Sequence, residues 1–495
     1  MNKIKTGWDF VRSRLFYIML CSMLLTQVIS KIALGYMDTD SYFILAEGRD
    51  ILENGIKYTN SFTVVDGLDI VVQQWLWCVL IYCIYSVLGN LGLILVCIVK
   101  TVIIAVLLIL LGRLKKVDPF SLLILVSVFL YLFSEFISTR PNAITIILLL
   151  LQLLILEKCK CSSSKYAGIL IPLSMMGIML LEINIHASMW IFHFLFLLPY
   201  IFPPIKNFAA NFKKRRYNYV PFLVSFIPMT GTLFVNPYGV DGILYLFRAY
   251  GNELNSIGIA ELQRVELTSL TGAMLVISLL FYIGAYMVRK KPIAAETFYL
   301  FFGTFILGCM CYRNYYYACI GFFMLLCDFL KGKDHSTIHD FINKQTKPVI
   351  FIAACGLAFC VWYAVDTGAH QEIDWEGEPI KAAEYLDNNA SSDATVYTEF
   401  NNGAYMEWRG YKVYIDARPE LFMKKINGKE DILSEFLGVY YDLDLQMYRN
   451  FVSKYGFDYY LVEEASLMDA YLQCDENCEL VVDGEGYRMY EYNKS

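Results

Sequence analysis

Eleven apolar runs, near residues 15–34, 91–111, 119–135, 142–156, 166–182, 188–204, 219–234, 269–288, 294–311, 314–330 and 348–365, recur along this chain. A helix needs about 20 apolar residues to cross the hydrocarbon core of a bilayer. A chain built this way predicts a polytopic α-helical membrane protein of about eleven spans. Composition agrees: 18% of the 495 residues are charged, against roughly 25% in soluble domains. The first run follows Lys3, Lys5, Arg12 and Arg14. It is too long for a signal-peptide core and lacks a small-residue cleavage site, so it reads as an uncleaved first span.

Charge sorts the loops. One further stretch, Gln73 to Leu88, would reach roughly 24 Å as a helix, short of the ~30 Å core. Read as a re-entrant or juxtamembrane helix, it leaves 22 basic residues in one set of alternate loops and six in the other. The rich set holds the amino terminus, Arg113/Lys115/Lys116, Lys158/Lys160/Lys165, Lys206 with Lys213 to Arg216, Arg289 to Lys291, and Lys331/Lys333/Lys344/Lys347. Cytoplasmic loops collect Lys and Arg, so that set and the amino terminus are expected inside the cell. Counting the stretch as a full span would invert every later loop.

This topology places 36–90 outside as one long loop and leaves the carboxyl-terminal segment outside as well. From Asp366 onward there are 27 acidic and 11 basic side chains. The expected organisation is a multi-span domain over 1–366 and an extracytoplasmic α/β domain over 367–495. Helices are expected near 378–389 and 430–454, with strands near 394–400, 412–418, 457–463 and 478–493. Twelve of the 14 cysteines lie in or beside apolar segments. The other two, Cys474 and Cys478, read equally as a disulfide and as two free thiols. Nothing in the charge balance suggests nucleic acid, and no internal repeat of the transporter kind is visible.

The polar features of the spans fall at outer ends: Asp38 and Asp40, Glu135 with Arg140-Pro141, Glu182 to His186, Asn236 to Gly239, and Tyr312-Arg313-Asn314. Carboxylates placed beside lipid are costly and usually serve chemistry or metal. Lys100 lies deep in an apolar run, where it needs a partner or a route to water; Asp38, Asp40, an anionic lipid head group and simple snorkelling all meet that need. Individually, Asn236 to Gly239 reads as a turn ending a helix, His186 as a hydrogen-bonding residue at a helix end, and Asp416 with Arg418 as a buried structural pair.

Several blocks together resemble the GT-C superfamily of integral-membrane glycosyltransferases, and a bacterial branch of it using lipid-linked sugars. They are Asp38-x-Asp40 with GRDILENG, TNSFTVVDG and QQWL, then Arg140-Pro141, Asn184-x-His186, Asn236-Pro-Tyr-Gly239 and Arg313-Asn314. In the tail, FNNGAYMEWRG and VYIDARPELF (400–422) match the soluble domain of that branch. The chain departs from the pattern at Gln73-Gln74, where His-Glu is usual, and at Tyr42-Phe43-Ile44, where the branch carries an aromatic-His pair.

The resemblance implies an inverting transfer of a sugar from a polyprenyl-phosphate donor to an acceptor on the outer face of a cell membrane. The acceptor is a glycan, lipid or protein. Asp38 or Asp40 would be the general base, the other orienting it or holding a divalent cation such as Mg or Mn. Lys100, Arg140 and Arg313 would take the lipid phosphate, and Asn184 and His186 the sugar or acceptor. The alternatives are a non-catalytic membrane protein binding lipid-linked glycans or a partner and, less favoured, a transporter.

Overall fold

The computed structural model describes residues 7–160, 166–202, 218–249, 262–288, 293–332, 379–391 and 393–493. The last apolar run, 348–365, and the basic cluster Lys213 to Arg216 lie outside the described residues, so no structural statement is made about them. The described chain divides into two compact units. One comprises 1–36, 94–235 and 259–371, and the other 37–93, 236–258 and 372–495. The segment 37–93 thus groups with the acidic tail, cutting across the linear division at residue 366.

In the first unit, every described apolar run is helical. The helices are α1 (Gly7–Gly35), the second part of α3 (Trp75–Leu114), α4 (Pro119–Phe133), α5 (Asn142–Lys160), α6 (Ala167–Ile185) and, further on, Leu270–Val288, Ala295–Met310 and Tyr315–Leu330. Among the described residues, four helices are long and apolar enough to cross a membrane, and up to five if a bent pair counts as one span. The runs at 188–204 and 219–234 are instead broken into short pieces, Trp190–Leu197 and then Val220–Val224 and Phe226–Thr232. The described residues thus account for four or five of the eleven expected spans. Pro199 and Pro228, which cannot donate to a helical ladder, fall close to these breaks.

Ring contacts and close glycine approaches hold these helices together. Phe129 of α4 lies 5.2 Å from Phe323, ring centre to ring centre, and Tyr17 of α1 lies 4.5 Å from Phe120. A Cβ at Gly321 would strike Thr304, so Ala295–Met310 and Tyr315–Leu330 touch nearly backbone to backbone. At the basic end of the bundle, Lys115 pairs with buried Glu157 at 2.8 Å, and Lys160 bridges Glu157 and Glu296. Two of the cations counted in the loops are thus neutralised by acidic helix residues.

α3 runs for 40 residues, about 60 Å at the helical rise and twice what a hydrocarbon core needs. Gly89 interrupts it at φ 58°, ψ −148°, a conformation open essentially to glycine. The part before Gly89 is the short helix expected over Gln73 to Leu88.

The second unit is built on a five-stranded mixed sheet of order β2-β1-β3-β5-β4. Its strands are β1 (Thr395–Tyr397), β2 (Lys412–Val413), β3 (Tyr459–Glu463), β4 (Cys478–Asp483) and β5 (Tyr487–Tyr492). β2, β1 and β3 are parallel, while β3, β5 and β4 are antiparallel. The expected helix near 430–454 is two helices, Ile432–Tyr441 and Leu445–Tyr455, the second capped by Asp444. A helix over Phe400–Arg409 was not expected and supplies the crossover between β1 and β2. Tyr397, Tyr414, Phe451 and Phe457 fill the core beneath the sheet.

The first loop joins this sheet. Thr63 bridges Val413 in parallel, with Val64 N donating to Val413 O at 2.9 Å and Val413 N to Phe62 O at 3.0 Å. The exposed edge of β2 is thereby covered, which disposes of unpaired backbone groups. α2 (Thr39–Asn54) packs against Phe400–Arg409, where Tyr42 meets Tyr405 edge-on at 4.9 Å. Gly48 lies so close to the Cys78 carbonyl that any Cβ would collide with backbone. Cys474 and Cys478 are separate thiols.

Candidate active-site residues

In the second unit, Asp38 is the N-cap of α2. Its Oδ1 accepts hydrogen bonds from Ser41 N at 3.0 Å and Ser41 Oγ at 2.7 Å, and Ser41 Oγ in turn accepts from Asp38 N at 3.1 Å. This capping box fixes the carboxylate and the entry of the helix together. Asp40 stands in the first turn of α2, where the helix dipole favours negative charge. Both aspartates are half-buried.

Two turns along α2, Glu47 reaches a buried ion cluster. Arg418 Nη1 donates to Glu47 Oε1 at 2.8 Å, and its Nη2 donates to Glu407 Oε1 at 3.1 Å and to Asp416 Oδ2 at 2.6 Å. Phe43 lies under the guanidinium at 4.7 Å. The IDARPE segment is therefore the buried structural pair expected, enlarged by two glutamates. Three carboxylates around one cation are more negative charge than the cluster can balance, and the acids share the strain unequally. Burial pushes Glu47 up to about 7 despite Arg418, and burial with the neighbouring Asp416 raises Glu407 well above the usual range. Burial acts on Asp416 in the same direction, but Arg418 overcomes it and holds that carboxyl below its ordinary value. The cluster ties α2, and hence the loop bearing Asp38 and Asp40, to the tail.

At the departure from the family pattern, Gln73 Oε1 is buried with no hydrogen-bond partner among the described residues. Asn236 to Gly239 forms the expected turn, with Asn236 Oδ1 accepting from Tyr238 N at 2.9 Å and Gly239 at φ 53°.

In the first unit, the remaining predicted residues gather at one end of the bundle. Lys100, 2% exposed, donates to the carbonyl oxygens of Ser138 and Arg140, the latter at 3.1 Å. This answers the need of a lysine in an apolar helix with backbone acceptors of the turn that carries Arg140. Arg313 lies in a one-turn 3-10 helix, Tyr312–Asn314. Neighbouring Tyr312 donates to Glu135 at 2.7 Å, and Glu135 pairs with Lys31 at 3.0 Å. Asn184 spans from Leu180 O to Val235 O, both at 2.9 Å. His186 hydrogen-bonds Thr145 at 2.8 Å, as expected of a residue at a helix end, and the charges of Arg313 and Arg140 act on its ring. Thr145 and Gln152 were not among the residues expected from the sequence. A polar residue inside an apolar run, as each of these is, was the available signal.

The carboxylates do not by themselves make a metal centre. Among the described residues, no group of three or more His, Cys, Asp or Glu side chains is arranged to hold a metal ion, and one oxygen of Asp38 is spent on its cap. A cation at the Asp38-Asp40 pair would depend on donors beyond these side chains, and no step below is routed through one.

No protein family model matches the chain, and no curated protein matches it. Solved structures do. The oligosaccharyltransferase AglB from Archaeoglobus fulgidus, in complex with an inhibitory peptide and a dolichol-phosphate, aligns over 91% of this chain and 70% of its own at TM-score 0.57 and 11% identity. The same archaeal enzyme in complex with Zn and sulfate covers 90% and 68% at TM-score 0.51 and 12% identity. ArnT from Cupriavidus metallidurans, bound to undecaprenyl phosphate, covers 98% of both chains at TM-score 0.50 and 10% identity. Both proteins are GT-C glycosyltransferases, and over most of its length this multi-pass membrane chain shares the GT-C fold expected from its sequence.

Proposed function

We propose that the protein is an inverting glycosyltransferase, moving a sugar from a polyprenyl-phosphate donor to an acceptor hydroxyl or amide at the outer face of the cell membrane. The observation that carries this reading is the pair Asp38-Asp40 fixed at the start of α2, in a chain with the fold of enzymes bound to dolichol-phosphate and undecaprenyl phosphate. The sidedness rests on the distribution of basic loops, which puts the amino terminus and the Lys/Arg-rich loops inside, across eleven spans.

The acceptor oxygen or nitrogen attacks the anomeric carbon from the side opposite the phosphate. The new bond to that carbon forms as the bond to the phosphate oxygen breaks, which inverts the centre. Polyprenyl phosphate leaves, and the acceptor proton passes to a carboxylate. Asp40 is the assigned base. Asp38 is the positioning residue, because its Oδ1 is committed to holding the first turn of α2. Arg140 and Arg313 stabilise the departing phosphate with paired N–H groups. Lys100 adds positive charge and holds the Arg140 turn through its carbonyl. Asn184 and His186 meet the sugar.

The test is transfer of radiolabelled sugar by the full chain in proteoliposomes supplied with undecaprenyl-phosphate sugars. Asp40→Asn is expected to lower the rate by about 10²–10⁴-fold, the range for a lost general base. Normal transfer by both Asp38→Asn and Asp40→Asn would remove the assignment. Binding of lipid-linked sugar without turnover by any variant, wild type included, would favour a non-catalytic glycan-binding protein.

A further inference from the structure

Five side chains of the first unit form an unbroken hydrogen-bonded chain in apolar surroundings. Thr145 and Gln152 come from α5, Glu182 from α6, His186 from the turn after it, and His193 from Trp190–Leu197. Thr145, Gln152, Glu182 and His193 are completely inaccessible, and His186 is 3% exposed. Groups this buried are retained only where their hydrogen bonds are met, and here their protons can be followed one by one.

Gln152 Nε2 donates to the His193 carbonyl at 2.8 Å, which turns Gln152 Oε1 toward His193 Nδ1 at 2.6 Å. An amide oxygen only accepts, so His193 Nδ1 carries a hydrogen. His193 Nε2 then faces Glu182 Oε2 at 3.1 Å with one proton to share between them. The other oxygen of Glu182 accepts from the Thr145 hydroxyl at 2.6 Å. That spends the only hydroxyl proton, so at the 2.8 Å contact with His186 the Thr145 oxygen must accept and His186 Nδ1 must donate. His186 Nε2 is left with a lone pair, and it has no hydrogen-bond partner among the described residues. Burial opposes adding a second proton there, and the cationic Arg313 and Arg140 act in the same direction.

We propose that Thr145, Glu182, His193 and Gln152 are positioning residues that hold His186 as the Nδ1–H tautomer, so that its Nε2 accepts a hydrogen bond from a hydroxyl of the lipid-linked sugar donor. The donor is chosen over the acceptor molecule because guanidinium groups that act on the same ring suit a phosphate. A molecule carrying both a phosphate and a neighbouring hydroxyl answers both. This inference rests on the reading that lipid-linked sugars are the substrates, but the tautomer does not.

The test is nitrogen NMR on the full chain in bilayers with ¹⁵N-labelled histidine. The chain has five histidines, and His186→Gln identifies the signals of position 186. Free protein should show one tautomer there, hydrogen on Nδ1 and a bare Nε2. Thr145→Val, which removes the hydroxyl at constant size, should give a tautomer mixture, while Thr145→Ser should restore the single form. Adding members of a panel of undecaprenyl-phosphate hexoses should shift the bare Nε2 signal. Undecaprenyl phosphate without sugar should not shift it. Thr145→Val should weaken binding of the active hexose lipid about tenfold, the worth of one hydrogen bond. Hydrogen on Nε2 in the wild type, or no change in Thr145→Val, overturns the positioning role. An equal shift with sugar-free lipid, or none with any hexose, overturns the donor contact. If transfer is absent while the Nε2 shift is present, the catalytic reading fails and this one stands.

Discussion

Two of the buried polar clusters among the described residues are built on opposite terms. In the second unit, Arg418 is surrounded by Glu47, Glu407 and Asp416, so charge is over-supplied and the acids must adjust. In the first unit, Glu182 meets His193, Thr145 and the chain beyond them, so one acid is supplied with one proton-sharing partner and a series of neutral links. The ion cluster is a fastening: it joins the first loop to IDARPE through three carboxylates held by one shared cation. The membrane chain is directional, because each proton in it has one place to go. Fastening tolerates exchange of its acids better than loss of its cation. Direction is lost when any one link is removed.

The largest expected effect is the loss of that cation. Arg418→Met leaves Glu47, Glu407 and Asp416 buried without compensation, and should cost about 3–5 kcal/mol of stability. Thermal unfolding of the purified chain, followed by circular dichroism, checks this. A change under 1 kcal/mol would break the contrast between the clusters. Gly403→Ala comes next. A Cβ there would collide with the Ile415 carbonyl beside Asp416, and such overpacking costs about 1–3 kcal/mol.

Much of this was legible in the sequence and part was not. The apolar runs, the short helix ending before Gly89, and the strands near 457–463 and 478–493 followed from periodicity and turn residues. The fragmentation of 188–204 and 219–234 was hidden because apolar content does not report backbone breaks. Helix Phe400–Arg409 was missed because its pattern serves two partners, with Tyr42 packing against Tyr405 from α2. At the site, Asp38 and Asp40 stood out as carboxylates at an apolar border. Glu47 is 371 residues from Arg418 in the chain, and no local pattern announces so distant a pair.

A smaller effect tests the pH behaviour of buried glutamates in the second unit, Glu47 of the fastening and Glu399 beside Glu463. Burial raises Glu47 to about 7 and Glu399 to about 8, above their values in an unfolded chain. Stability from these two groups is complete below about pH 4.5, near the ordinary glutamate value, and is lost as pH rises through 7 to 8. Asp416, held low by Arg418, acts in the opposite sense and loses its contribution only in acid. Midpoint temperatures should therefore fall between pH 5 and 8, and Glu399→Gln should flatten the decline. A midpoint that rises over this window would contradict the charge accounting. Smallest of all, Lys412→Ala removes an exposed pair with Asp66 and should alter stability by about 0.5 kcal/mol or less.

The central claim is glycosyl transfer at the carboxylates that open α2, and one paired assay addresses it most directly. Wild type, Asp38→Asn and Asp40→Asn are reconstituted at equal folded amounts and given undecaprenyl-phosphate-linked radiolabelled sugars with a membrane extract as acceptor source. The account predicts transfer by the wild type, a modest loss in Asp38→Asn, because asparagine still caps a helix, and near-abolition in Asp40→Asn. Undiminished transfer by both variants would contradict it.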